Sequence, residues 1–125
     1  IAFNRVVELP DSRASNADTR KREEHAALQK QLPPSPILMA LDETGSSPGS
    51  TTFARQLGQW NDAGRRDLCI CIGGADGHAA ELLKEADSVI SFGKMTWPHQ
   101  IVRILLAEQL YRASTLLVGH PYHRN

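Results

Sequence analysis

Cysteine is scarce in this 125-residue chain, which has only Cys69 and Cys71. Two thiolates fall short of the four ligands of a closed zinc site, so the pair points to no metal. As i, i+2 neighbours on a strand they share a face, and they read as small buried hydrophobes of a reduced, cytoplasmic protein. Net charge is also absent, with 14 basic and 14 acidic side chains. No global field draws the chain to nucleic acid, so any RNA partner has to be met by a local patch. No apolar run is long enough to span a bilayer, and no secretory pattern is present. No spaced GxGxxG follows a strand, and no lysine completes a P-loop, which disfavours a doubly wound oxidoreductase or a nucleotide hydrolase. The first residue is Ile1 rather than methionine, which leaves room for residues upstream.

What remains is enough for one domain, residues 1–125, around one sizeable core. Phe3–Leu9 reads as a short strand ending before Pro10. Ala17–Leu32 reads as an exposed helix of mixed charge, either a solvated face or one wall of an RNA groove. Pro33, Pro34 and Pro36 stop it. Ile37–Leu41 is apolar without alternation, as a strand covered on both faces would be. A turn-rich loop over residues 42–50 leads to a helix capped by Ser50 or Thr51, striped by Phe53, Leu57 and Trp60 and closed by Gly64. Leu68–Ile72 is a second covered strand, Ala79–Ala86 a third helix, and Ser88–Ser91 a short strand. Pro98 opens the last helix as its first residue. Strands alternating with helices imply an α/β domain with a mostly parallel sheet and helices on both faces. Ligands of such sheets sit at the carboxyl ends of the strands, here the loops after Leu41, Ile72 and Ser91.

Three segments can carry chemistry. Gly73, Gly74 and Gly77 follow a strand and precede a helix, where glycine lets backbone pass close to a ligand; a plain tight turn would look the same. In the loop Phe92–His99, Gly93 permits unusual dihedrals, Thr96 can cap the helix, and Met95 and Trp97 can wall a flat heteroaromatic ligand. The tail Gly119–Asn125 combines Tyr122, His120, His123 and Arg124, suited to an anionic, planar substrate through phosphate contact, stacking and proton handling. Arginine outnumbers lysine ten to four, and arginine favours bidentate phosphate contacts. Arg103 can reach a phosphate, whereas Glu108 and Arg112, at i and i+4, can pair with each other. The last helix is apolar around more than half its circumference, at Ile101, Val102, Ile104, Leu105, Leu106, Ala107, Leu110 and Ala113. One sheet face cannot bury all of these, so a second subunit in a symmetric dimer is expected. His25 and His78 read as ordinary surface residues, and His99 as structural at its helix start.

The segments GGADGH, KMTWPHQIVRILLAEQLYRA and GHPYHRN together resemble the RlmH type of SPOUT methyltransferase, and the similarity runs from FNRVVELP and LDETG to the terminus. The resemblance implies an α/β fold closed by a C-terminal trefoil knot, a homodimer pairing through the last helix, and S-adenosylmethionine as methyl donor. It also implies methylation of N3 of a pseudouridine in 23S ribosomal RNA of the large subunit, on the assembled ribosome. The family opens with a further strand and helix containing a VGK motif, which this sequence does not contain. Carried over, the cofactor contacts are Leu41, Gly73, Phe92, Gly93, Lys94, Met95, Thr96 and Trp97. The substrate contacts are Tyr122, His123, Arg124 and Arg103.

Such a reaction asks an imide nitrogen to lose its proton while it attacks a sulfonium methyl, with nitrogen, carbon and sulfur in line. His123 is the first candidate for proton handling, with His99 or Glu108 behind it. Arg124 and Arg112 are candidates to stabilise charge on the pyrimidine. A competing reading is a noncatalytic RNA-binding or ribosome-associated protein of the same fold, which would have no need of a cofactor cleft.

Overall fold

A computed structural model describes residues 6–65, 67–73 and 76–124. In chain order these form α1 (Ala17–Gln29), β1 (Ile37–Ser46), α2 (Ser50–Asp62), β2 (Leu68–Ile72), α3 (Ala80–Glu85), β3 (Ser88–Ile90) and α4 (His99–Leu117). The sheet is three-stranded, parallel, and ordered β2-β1-β3. Central position explains why Ile37–Leu41 shows no alternation: all five residues are buried, since helices cover both faces.

Side chains of odd and even strand positions enter different layers. Met39 and Leu41, with Leu68, Ile70 and Ile72, meet Phe53, Leu57, Leu106 and Ala113 of α2 and α4. Leu38, with Cys69 and Cys71, meets Leu82 of α3 and Leu28 of α1. Each large side chain buried this way stabilises by roughly 1.5–3 kcal/mol. The cysteines therefore lie on one face as expected, and burial pushes the Cys71 thiol up to about 11. No group of three or more His, Cys, Asp or Glu among the described residues can hold a metal. Among the described residues no helix is long and apolar enough to cross a membrane.

Several expectations need correction. Val6–Leu9 is not a strand, because none of the three strands pairs with it; Phe3–Arg5 lies outside the described residues, as do Gly74, Ala75 and Asn125. β1 does not stop at Leu41. It leaves the ladder, turns where the Asp42 carboxylate accepts from the Thr44 amide at 3.1 Å, and rejoins β3 so that Ser46 pairs with Ile90. Gly45 makes this possible: a Cβ there would stand 2.7 Å from the backbone of Val89 and Ile90. The cap of α2 is Gly49, not Ser50 or Thr51, and no side chain caps it; the Ser50 hydroxyl is spent on Gln109 Oε1 at 2.8 Å. Pro98 is the cap residue of α4 rather than its first helical residue. Gly64 does close α2, in the left-handed region at φ 77°.

α4 is two-sided. Leu106 and Ala113 are buried in the core, while Ile101, Ile104 and Tyr111 stay exposed. α1 has no buried residue at all.

Candidate functional site

The register brings the three strand ends together. Leu41 pairs with Ile72 on one side and Ile90 on the other, so Asp42, Gly73 and Ser91 leave the sheet side by side. The turn after β2 leans on the one after β1. Gly77 takes φ 83°, with its missing side chain directed at Asp42 Oδ1, and a Cβ on Gly73 would lie 3.0 Å from the Gly77 carbonyl carbon. Close backbone approach is thus the reason for glycine at position 73, and the left-handed backbone is the reason at position 77.

His78 belongs to this junction, not to the surface; it is 9% exposed. Its Nε2 lies 3.0 Å from the Cys71 carbonyl, and since a carbonyl only accepts, Nε2 carries the proton. Burial holds the imidazole below its ordinary pKa, against the pull of the Cys71 carbonyl and of Asp42. Burial works against ionisation of Asp42 too, but the Thr44 hydroxyl, the Thr44 amide and the His78 amide hold its pKa below the usual carboxylate range. His25 of α1 is half-buried, with no partner for Nδ1, and opposes protonation of His78.

The third turn is tied by Ser91, whose hydroxyl donates to the Gly93 carbonyl at 2.7 Å and accepts from the Gly93 amide at 3.1 Å. Gly93 takes φ 120° with open space around it. Phe92 packs on the core, but Met95 is 75% and Trp97 44% exposed, so the apolar walls of this loop are not used up in the core. Lys94 and Thr96 are exposed beside them. A cavity of about 250 Å³ is lined by Phe92, Gly93, Ser91 and Ile90 together with Ser47, Pro48, Ser50, Phe53 and Gln109. Leu41 and Gly73 stand at the same end of the sheet without lining it. The Ser47–Ser50 segment falls in the loop after Leu41 expected to meet a ligand, whereas Gln109 was not singled out by sequence; its place beside Glu108 on α4 was the available signal.

The tail folds back on α4. Glu108 accepts from Arg112 Nε at 3.1 Å, Arg112 Nη2 at 2.9 Å and the Tyr122 hydroxyl at 2.7 Å. These donors, Arg112 first, hold its carboxyl below the usual range, so Glu108 serves as a fixed acceptor rather than a proton carrier. The Arg112 guanidinium lies 4.9 Å from the Tyr122 ring centroid, and Tyr111 meets Tyr122 edge-on at 4.8 Å. Arg112 Nη1 stands 3.0 Å from His123 Nδ1. Arginine can only donate, so Nδ1 accepts and the ring proton sits on Nε2. Arg124 is exposed and has no hydrogen-bond or ion-pair partner among the described residues. Arg103, expected to reach phosphate, is paired with Glu8. His99 is exposed at the first position of α4.

Cavity and tail are joined through one residue. Gln109 accepts from Ser50 at the cavity and donates to Glu108 Oε1 at 3.3 Å. The arrangement therefore offers a cradle of strand-end backbone with apolar walls, and beside it a cationic, aromatic cluster suited to an anionic ring.

Residues 2–123 match the family described as "Predicted SPOUT methyltransferase". The chain is 58% identical to the ribosomal RNA large subunit methyltransferase H of Allorhizobium ampelinum over 125 residues, all of this chain and 78% of that protein. It is 57% identical to the protein of that name from Agrobacterium fabrum, over 99% of this chain and 78% of that one. With the Rhizobium meliloti protein it shares 60% identity over 120 residues, 96% of this chain and 75% of the relative.

Proposed function

Because this chain belongs to the SPOUT methyltransferase family, we propose that it transfers a methyl group from S-adenosylmethionine to N3 of a pseudouridine in large-subunit ribosomal RNA, on the assembled ribosome in the cytoplasm. The observation that carries the reading is the pairing of Leu41 with both Ile72 and Ile90, which brings three glycine-bearing turns to one end of the sheet, beside the cavity lined by Ser91, Phe92 and Gly93. The residues fit the donor: Gly93 leaves open space beside the cavity that Phe92 lines, Met95 and Trp97 supply unspent apolar surface, and Leu41, Gly73, Lys94 and Thr96 are assigned the remaining contacts. When bound, the cofactor supplies an electrophilic methyl carbon on a sulfonium.

The remaining work falls to the tail. Tyr122 is braced by Glu108, Tyr111 and Arg112, which presents a ring for stacking on a base. Loss of the N3 proton puts negative charge on the pyrimidine carbonyls. Arg124, with no partner among the described residues, and His123, with its proton on Nε2, act as donors to that charge. Arg112 acts one step back by fixing the His123 tautomer. His123 thus enters as a donor, and the N3 proton leaves to another acceptor. The exposed stripe of Ile101, Ile104 and Tyr111 on α4 is the face through which we infer that two subunits pair.

The test incubates the full-length protein with tritium-labelled cofactor and ribosomes lacking the modification. Label confined to N3 of one pseudouridine is expected; label elsewhere, or none, overturns the reading. Arg124→Ala is expected to lower turnover about a hundredfold with donor affinity unchanged, as for loss of one oxyanion donor. Unchanged turnover removes Arg124 from the reacting set.

A further inference from the structure

Arg20 lies on α1, far along the chain from the turn after β2, yet two of its three guanidinium nitrogens bond there. Nε reaches Asp76 Oδ2 at 2.7 Å, Nη2 reaches Oδ1 at 3.1 Å, and Nη1 donates to the Ala14 carbonyl at 2.9 Å. This two-pronged geometry is specific to arginine; lysine offers a charge but no fork. The pair is shielded, at 28% and 24% side-chain exposure, and each partner stabilises the charged form of the other.

The pair has two consequences. On the α1 side it is the principal anchor of the amino-terminal half: no residue of α1 is buried, and its apolar contact with the core is through Leu28, near the other end. On the turn side it grips Asp76, next to Gly77, whose backbone lies against Gly73 and whose successor His78 bonds Asp42. A displaced Asp76 would pull Gly77 from its packing against Gly73, where a Cβ on Gly73 would stand 3.0 Å from the Gly77 carbonyl carbon.

We propose that Arg20 is a positioning residue for methyl-donor binding, holding Asp76 so that Gly77 stays packed against Gly73 and the carboxyl end of β2 keeps the backbone position that the donor meets. This rests on the methyl-donor reading above and goes beyond it by giving a helix that lines no part of the cavity a part in cofactor affinity.

Calorimetry with S-adenosylmethionine on the full-length protein tests it. Arg20→Met and Asp76→Asn are each expected to raise the donor Kd about tenfold, the scale of one coupled interaction. Turnover at saturating donor and the KM for ribosomes should stay within about twofold, a split that general loss of folded protein would not produce. The charge-swapped double variant, Arg20→Asp with Asp76→Arg, is expected to recover most of the affinity. Wild-type Kd in folded Arg20→Met overturns the inference. Should that variant fail to fold, wild-type Kd in the isosteric Asp76→Asn overturns it equally. Loss of turnover at unchanged Kd also overturns it. Absence of donor binding by the wild-type protein overturns the methyl-donor reading and takes this inference with it.

Discussion

The two faces of the sheet are held by different physics. On one, α2 and α4 press Phe53, Leu57, Leu106 and Ala113 onto Met39, Leu41 and Ile90. On the other, the buried apolar set is Leu38, Cys71 and Leu82, and polar devices do the rest: the Arg20–Asp76 pair, the buried His78 and the Asn16 cap. Apolar burial is non-directional and tolerates small shifts, whereas a bidentate ion pair fixes a position. The thin face is therefore suited to setting the shape of the turn after β2, and the thick face to carrying stability, the cavity and the tail. β1 feeds both faces, and its far end returns to the sheet at Gly45 and Ser46, where the two meet.

The largest test of this contrast sits at the meeting point. Gly45→Val places a branched side chain against the Val89 and Ile90 backbone, which cannot give way as a side chain could. We expect a loss of about 3 kcal/mol or more by denaturant unfolding, since β1 could no longer rejoin β3. Next come paired truncations. Leu57→Ala, in the thick layer, is expected to cost about 3–4 kcal/mol, and Leu82→Ala about 2 kcal/mol, because fewer fixed neighbours leave a site that collapses more easily. Equal costs would break the comparison. Asn16→Ala follows, at about 1 kcal/mol, since the Asn16 carboxamide accepts from the Asp18 and Thr19 amides at 2.8 and 3.2 Å. Amide exchange in α1 should rise in that variant while α2 stays protected.

Much of this was legible in sequence, and the boundary of legibility has a physical form. Patterns of period 2 and 3.6 are local, so β2, β3 and all four helices fell within a few residues of expectation, and the strand-end turns followed from parallel topology alone. Contacts made across the chain were not legible. Nothing near Asp42 says that β1 returns to pair at Ser46, nothing near Gly119 says that the tail folds onto Glu108 and Arg112, and a lone His78 in a glycine turn gives no sign that it is buried. Arg20 is the sharpest instance: within α1 it is one cation in a run of charge, and only the fold turns it toward Asp76. Residues that bear on the site through position rather than chemistry are the ones a sequence reading passes over.

His78 gives the smallest effect, visible only along the pH axis. Burial holds its pKa in the fold below the ordinary histidine value of about 6.5, and the unfolded chain returns it to that value. Above about pH 7 the ring is neutral in both states and its contribution is whole. As pH falls through about 6.5, the unfolded state takes up a proton first, so stability declines until the folded pKa is reached and levels off below it. Asp42, Cys71 and His25 face the ring, and Asp42, Asp76 and Glu108, whose pKa values are lowered, lose their contributions only at more acidic pH, below about 4. Two descents separated in pH are therefore expected in unfolding free energy, the upper one belonging to the thin face. His78→Gln, which keeps an amide donor for the Cys71 carbonyl but cannot titrate, should flatten the upper descent and leave the lower one in place. An upper descent that survives the substitution would assign it to another group and remove His78 from the polar devices that hold this side of the sheet.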